Sequence, residues 1–277
     1  MFQKILFPVD FSDSCVAMAA YVERAATIFG ASVTIVHVCD LASHNGFELY
    51  ARRSDEIAED HWNLARTKLA LFLPSAFPRG SCQRLLLAGD PVRAISSAAK
   101  KGNFDLIVMP THAGRFRRMF LGSTTAGVLN EASCPVMTMQ HAEAPPRSAE
   151  HRRWVCAIGL SSDSERVLDF AKRVSSAAAA ELSVIHAVPE GNGRSDTLML
   201  SEEGMARRHI AELREKAGSG AAVCIATGPV KETLLDAVRE ASADVLVIGR
   251  SRRGASGHLD DLTYSLVRDS PCPVVSV

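Results

Sequence analysis

The sequence has no surplus of charge of either sign: Lys and Arg number 31 and Asp and Glu number 31 in 277 residues. A nucleic-acid binder would leave a basic footprint in that sum, so no nucleic-acid partner is expected. No apolar run approaches the roughly 18 residues of a membrane span, so no membrane is expected either. The opening Met1-Phe2-Gln3-Lys4-Ile5-Leu6-Phe7-Pro8-Val9-Asp10 holds too short an apolar stretch for a secretory signal core. The seven cysteines, at 15, 39, 82, 134, 156, 224 and 272, contain no Cys-x-x-Cys pair. Odd in number, in a chain too large to need staples, they read as reduced thiols of a cytoplasmic protein. The nine histidines do not fall beside them at zinc-ligand spacing, so no metal site is expected.

Three motifs are missing as well. The turn after the first strand run, Asp10-Phe11-Ser12-Asp13-Ser14, has no glycine, which counts against a dinucleotide-binding Gly-x-Gly-x-x-Gly turn. There is no Gly-x-x-x-x-Gly-Lys-Ser/Thr, which argues against a P-loop NTPase. No Gly-x-Ser-x-Gly elbow supports a hydrolase.

What is present is a repeat. Gly89-Asp90-Pro91-Val92-Arg93 returns as Thr227-Gly228-Pro229-Val230-Lys231, Asp105–Met109 as Asp244–Ile248, and Cys134-Pro135-Val136 as Cys272-Pro273-Val274, at offsets of 138, 139 and 138. Two domains follow, 1–141 and 152–277, with residues 142–151 as a linker carrying a Pro-Pro pair. Residues 1–141 hold 14 basic and 12 acidic groups and residues 152–277 hold 16 and 17, so neither half is an electrostatic specialist.

Each half alternates strands and helices. Ile5–Val9, Val33–Val38, Leu85–Leu87, Leu106–Met109 and Val136–Met139 are short apolar runs. Helices are expected from Ser12 to Phe29 with Gly30 as the stop, over 53–73 ahead of Pro74, from Pro91, and over Ser123–Ala132. The second half follows the same order from Val155 to Val277. Apolar strands without polar alternation predict an α/β fold with a parallel sheet covered on both faces. Ligands of such sheets sit beyond the carboxyl ends of the strands, which directs attention to Asp10, Val38 and the loop after Met109.

That loop ends in Leu121-Gly122-Ser123-Thr124 at a helix start. Unpaired N–H groups there suit a phosphate; an ordinary N-cap behind a glycine is the other reading. Arg115, Arg117 and Arg118, with Arg250, Arg252 and Arg253 in the second copy, would clamp phosphate or simply be solvated. His37 and His186 match in the repeat and read as structural. His112 stands near the proposed site without a visible partner to make it a base.

Ile5-Leu6-Phe7-Pro8-Val9-Asp10, Val36-His37-Val38, Asp105–Met109 with Thr111-His112, Leu121-Gly122-Ser123 and Cys134-Pro135-Val136 together resemble the universal stress protein family, twice over the chain. The resemblance implies a tandem member: two five-stranded parallel open sheets with flanking helices and strand order 3-2-1-4-5. It implies pairing of the two domains through Val136–Met139 and Val274–Val277, with a homodimer as further assembly and a protein partner of unknown identity. Some members hold ATP through a Gly-x-x-Gly-x9-Gly-Ser/Thr loop, with an Asp after the first strand and a Val after the second. Carried over residue by residue, this assigns ATP contacts to Pro8, Asp10, Val38, Pro110, Gly114, Gly122, Ser123 and Thr124, and Mg2+ to the phosphates. Pro110 stands where the pattern has a glycine, Ala113 or Gly114 where it has the second, and the spacing is one residue short. In the second half Asp260-Asp261 or Leu262-Thr263 replaces Gly122-Ser123, and Leu160 replaces Asp10, so nucleotide is expected in the first domain only. The resemblance implies a stress-response protein that binds ATP without substantial turnover; an interaction module without nucleotide and a slow ATPase are the alternatives.

Overall fold

The structure is a computed structural model. It describes residues 2–40, 51–78, 80–111, 121–140, 151–161, 163–189, 196–216, 220–250, 252–253 and 258–277. The chain divides into two compact units, Phe2–Met137 and Thr138–Val277.

The first nine elements are β1 (Lys4–Pro8), α1 (Asp13–Phe29), β2 (Ser32–Cys39), α2 (Ala51–Leu71), β3 (Gln83–Ala88), α3 (Pro91–Lys101), β4 (Leu106–Pro110), α4 (Ser123–Glu131) and β5 (Val136–Met139). Their strands lie in the order β3-β2-β1-β4-β5. β1 pairs in parallel with β2 and β4, and β2 with β3. Leu106–Pro110 is buried throughout, as expected of a strand covered on both faces. The helix ends follow local chemistry. Ser12 accepts the amide of Cys15 at the start of α1, Gly30 closes it at φ 63, and Asp90 accepts the amide of Arg93 ahead of Pro91.

The remaining elements are β6 (Arg153–Ala157), α5 (Ser164–Ala177), β7 (Glu181–Val188), α6 (Asp196–Lys216), β8 (Ala222–Thr227), α7 (Val230–Glu240), β9 (Val245–Ile248), β10 (Arg252–Arg253), β11 (His258–Leu259), α8 (Asp261–Asp269) and β12 (Val274–Ser276). Their main strands lie in the order β8-β7-β6-β9-β12, all neighbours parallel, which is the same 3-2-1-4-5 arrangement. The small antiparallel pair β10–β11 was not foreseen, because two-residue strands leave no periodicity to read.

The repeat has physical reasons. Asp105 Oδ2 accepts the amides of Gln3 and Lys4 at 2.7 and 2.9 Å. Asp244 Oδ2 accepts those of Arg152 and Arg153 at 2.8 and 2.9 Å. Each carboxylate thus pins the entry of its central strand, satisfying two donors. The structure also corrects one match. Gly89 donates its amide to Cys39 and Gly228 donates to Val188, so these glycines correspond, at an offset of 139. Both take positive φ, 119 and 154, which only glycine adopts readily. The motifs therefore align as Gly89 with Gly228, not as Gly89 with Thr227.

At the far end of α8, Asp269 accepts Arg268 Nε at 2.7 Å and Lys231 Nζ of α7 at 2.8 Å. The Arg268 bond chiefly, against opposing burial, lowers Asp269 to about 2. A depressed carboxylate stabilises above its unfolded value and loses that contribution as pH falls through the folded one. Asp269→Asn should therefore lower stability at neutral pH by no more than about 1 kcal/mol for so open a pair. Urea midpoints of variant and parent should converge between about pH 4 and pH 2. A gap that persists undiminished at pH 2 would rule this linkage out.

Candidate functional site

The carboxyl ends of β1, β2 and β4 form the place where the chain order reverses, because β1 has β2 on one side and β4 on the other. Pro8 is buried at the end of β1, and Asp10 lies exposed two residues beyond it. Val38 is half-buried near the end of β2, paired with Leu87. Pro110 is the buried last residue of β4, and its carbonyl accepts the Thr125 hydroxyl at 2.9 Å. Thr111 follows it, and its carbonyl accepts the Gly122 amide at 2.8 Å. These two bonds fold the start of α4 back onto the end of β4. Gly122, Ser123 and Thr124 therefore sit at the same sheet edge as Asp10 and Val38. Gly114, His112, Ala113, Arg115, Arg117 and Arg118 lie outside the described residues.

Asp10 is held by its own loop. Its Oδ1 accepts the Ser12 amide at 2.9 Å and the Cys15 thiol at 3.1 Å. Partial burial pushes its pKa up, but the bonds from Ser12 and Cys15 outweigh that and leave it below the usual carboxylate value. Phe11, the next residue, takes φ 64, sparsely populated for a bulky side chain. Its ring lies 4.3 Å from that of His37 and 5.4 Å from that of Phe72. His37 Nδ1 bonds the Val9 carbonyl at 2.7 Å, and His186 Nδ1 bonds that of Ile158 at 2.9 Å. Both histidines thus tie neighbouring strand ends together, the structural role read for them.

At α4 the N-cap is Gly122, with no side-chain bond to the first-turn amides. In the second unit the matching helix opens on Asp260, whose Oδ1 accepts the Thr263 amide at 2.7 Å. Asp260 thus stands in the place of Gly122, which decides between the two alignments. The carboxylate occupies a first-turn amide that an anion would use. The matching histidine bonds place Gly159, not Leu160, opposite Asp10, since Val9 corresponds to Ile158. Register across neighbouring strands corrects that assignment, and the second unit lacks the carboxylate all the same. Arg252 and Arg253 fall in β10, paired with Leu259 and His258.

Cys15 and Thr125 escaped the sequence reading. Thr125 has a signal in the repeat, since Thr263 is its buried counterpart. Cys15 has none beyond its spacing, one helical turn after the cap.

A groove of about 530 Å³ in the first unit is lined by residues including Phe11, Val16, Lys68, Leu71 and Phe72. None of the described residues assigned to the nucleotide lines it.

The family model described as the universal stress protein family matches residues 1–140 and again 150–277. A relative from Thermus aquaticus, the universal stress protein in QAH/OAS sulfhydrylase 3'region, is 34% identical over 145 residues, covering 50% of this chain and 100% of its own length. Among solved structures, a universal stress protein from Archaeoglobus fulgidus DSM 4304 is 23% identical, with a TM-score of 0.69, over 99% of this chain and 95% of that one. A functionally unknown protein from Pseudomonas aeruginosa PAO1 is 17% identical, with a TM-score of 0.66, over 100% of this chain and 92% of that one. These two structures share the fold. With its family pattern matched once in each half, the chain belongs to the universal stress protein family as a tandem member.

Proposed function

We propose that this stress protein holds one ATP per chain, in the first unit, and does not turn it over at an enzyme's rate. The observation that carries the reading is the contrast at the two matching helix starts. Gly122 leaves the first-turn amides of α4 without a side-chain cap, beside the strand end that carries Asp10. Asp260 fills the same place in the second unit with a carboxylate. A polyphosphate suits the first arrangement and is repelled by the second. Ser123 and Thr124 would hold phosphate oxygens, Val38 and Asp10 the adenosine, and a divalent cation would enter only through the phosphates. Asp10, the carboxylate at this edge, is assigned to the adenosine in this reading, and so takes no part in activating water. Free thiols throughout the chain support a cytoplasmic setting, and no described helix is long and apolar enough to cross a membrane.

A second reading, an interaction module without nucleotide, is favoured by Pro110. It has no amide to offer a ligand, and Thr125 occupies its carbonyl. Calorimetry with ATP and Mg2+ decides between them. The expected result is one nucleotide per chain, with turnover far below about 1 per second. Two nucleotides per chain would contradict the asymmetry, none would favour the interaction module, and turnover above that rate would make the protein an enzyme.

A further inference from the structure

The turn after β1 holds a contact that neither the cap of α1 nor the packing of the core requires. Cys15 is the third residue of α1. Its amide points to the Ser12 hydroxyl at 3.4 Å, and its thiol reaches back to Asp10 Oδ1 at 3.1 Å. The thiol is 4.0 Å from the Pro8 carbonyl. With the Ser12 amide also on Oδ1, that oxygen has two donors, and the Ser12 hydroxyl bonds the same carboxylate. The side chain of Cys15 is buried, at 1% exposure, while Asp10 is exposed. A buried donor thus grips one oxygen of an exposed carboxylate.

The second unit shows the same position doing the same job on a different atom. The Val9–Ile158 correspondence places Ser164 opposite Cys15 and Gly159 opposite Asp10. Ser164 Oγ donates to the Gly159 carbonyl at 2.7 Å. In both units the residue five places after the strand-end residue anchors it. Where the carboxylate is missing, the donor turns to the backbone.

The geometry points to Cys15 as a positioning residue of the first unit, one that fixes the orientation of the exposed Asp10 carboxylate that faces the bound nucleoside. This rests on the nucleotide reading above. Burial first, and then the charge of Asp10, push the thiol up to about 12, so it stays protonated and donates.

The test uses the full chain with Cys15→Ala, which removes the donor, and Cys15→Ser, which restores one. Cys15→Val, similar in volume and without a donor, replaces Cys15→Ala if that variant does not fold. Two quantities are read: ATP affinity by calorimetry, and the titration midpoint of the Asp10 carboxyl carbon by NMR without ligand. Loss of one hydrogen bond to a charged acceptor should weaken ATP about threefold to thirtyfold in Cys15→Ala. The Asp10 midpoint should move upward, since a bond favouring the charged form is gone. Cys15→Ser should fall between parent and Cys15→Ala in both. Asp13 and His37 are common to all variants, so the differences report Cys15. An unmoved Asp10 midpoint in Cys15→Ala, or unchanged affinity despite a moved midpoint, overturns the assignment. A parent that binds no ATP sinks the nucleotide reading instead, and the titration then decides by itself whether Cys15 holds Asp10.

Discussion

Gly122→Asp should abolish ATP binding while leaving the protein folded and slightly more stable. Gly122 has φ −61 and ψ 142, extended backbone open to any residue. An aspartate there reproduces Asp260, whose carboxylate already caps the matching helix of the second unit. Gain of a side-chain cap is worth a few tenths of a kcal/mol over glycine, up to about 1. For a polyphosphate the same change is severe. The carboxylate takes the amides the ligand needs and adds a like charge, a combination that costs several kcal/mol, so affinity should fall by about a hundredfold or more. Calorimetry and a thermal melt on one preparation test both signs. An unaltered affinity in a folded variant would show that phosphate does not sit at the start of α4. A variant that unfolds would contradict the capping argument.

The parts of this structure that sequence makes visible are those decided within a few residues. Ser12, Asp90, Gly30 and Pro91 act on the amides and carbonyls of their own turns, so the bounds of α1 and α3 follow from local chemistry. The inner strands Leu106–Pro110 and Val245–Ile248 are apolar runs buried along their length, and that too is readable in a short window. What was misread depends on contacts across the sheet. Leu160 seemed to replace Asp10 because counting along a turn does not say which residue faces the neighbouring strand. The bond from His186 to Ile158 does. Gly228 was matched one residue out because Pro-Val invites alignment, while the requirement on the chain is a positive φ at the glycine. The candidate site was legible as residue types at strand ends. The thiol that holds Asp10 and the hydroxyl that holds Pro110 were not, because nothing in a pattern shows where a small side chain bonds.

Removing Trp154 should destabilise the protein by about 3–5 kcal/mol, the usual cost of emptying a large buried aromatic site. Trp154 is 1% exposed and lies on β6, central among the main strands of the second unit, opposite Leu182 on β7 and Val245 on β9. In the first unit the same slot, opposite Val33 and Leu106, belongs to Ile5. The second unit thus fills with an indole a space that the first fills with four carbons, and the surplus reaches the chain before the strand. Nε1 donates to the His151 carbonyl at 3.2 Å, and His151 takes φ 50. Trp154→Ala therefore loses packing and leaves a buried carbonyl without that donor. Trp154→Phe keeps much of the ring contact and loses the bond, so it should cost less, about 1–3 kcal/mol. Urea unfolding followed by circular dichroism separates the two. If Trp154→Phe costs as much as Trp154→Ala, the bond to His151 outweighs the packing. If neither costs more than about 1 kcal/mol, the indole is not a main support of the second unit's core.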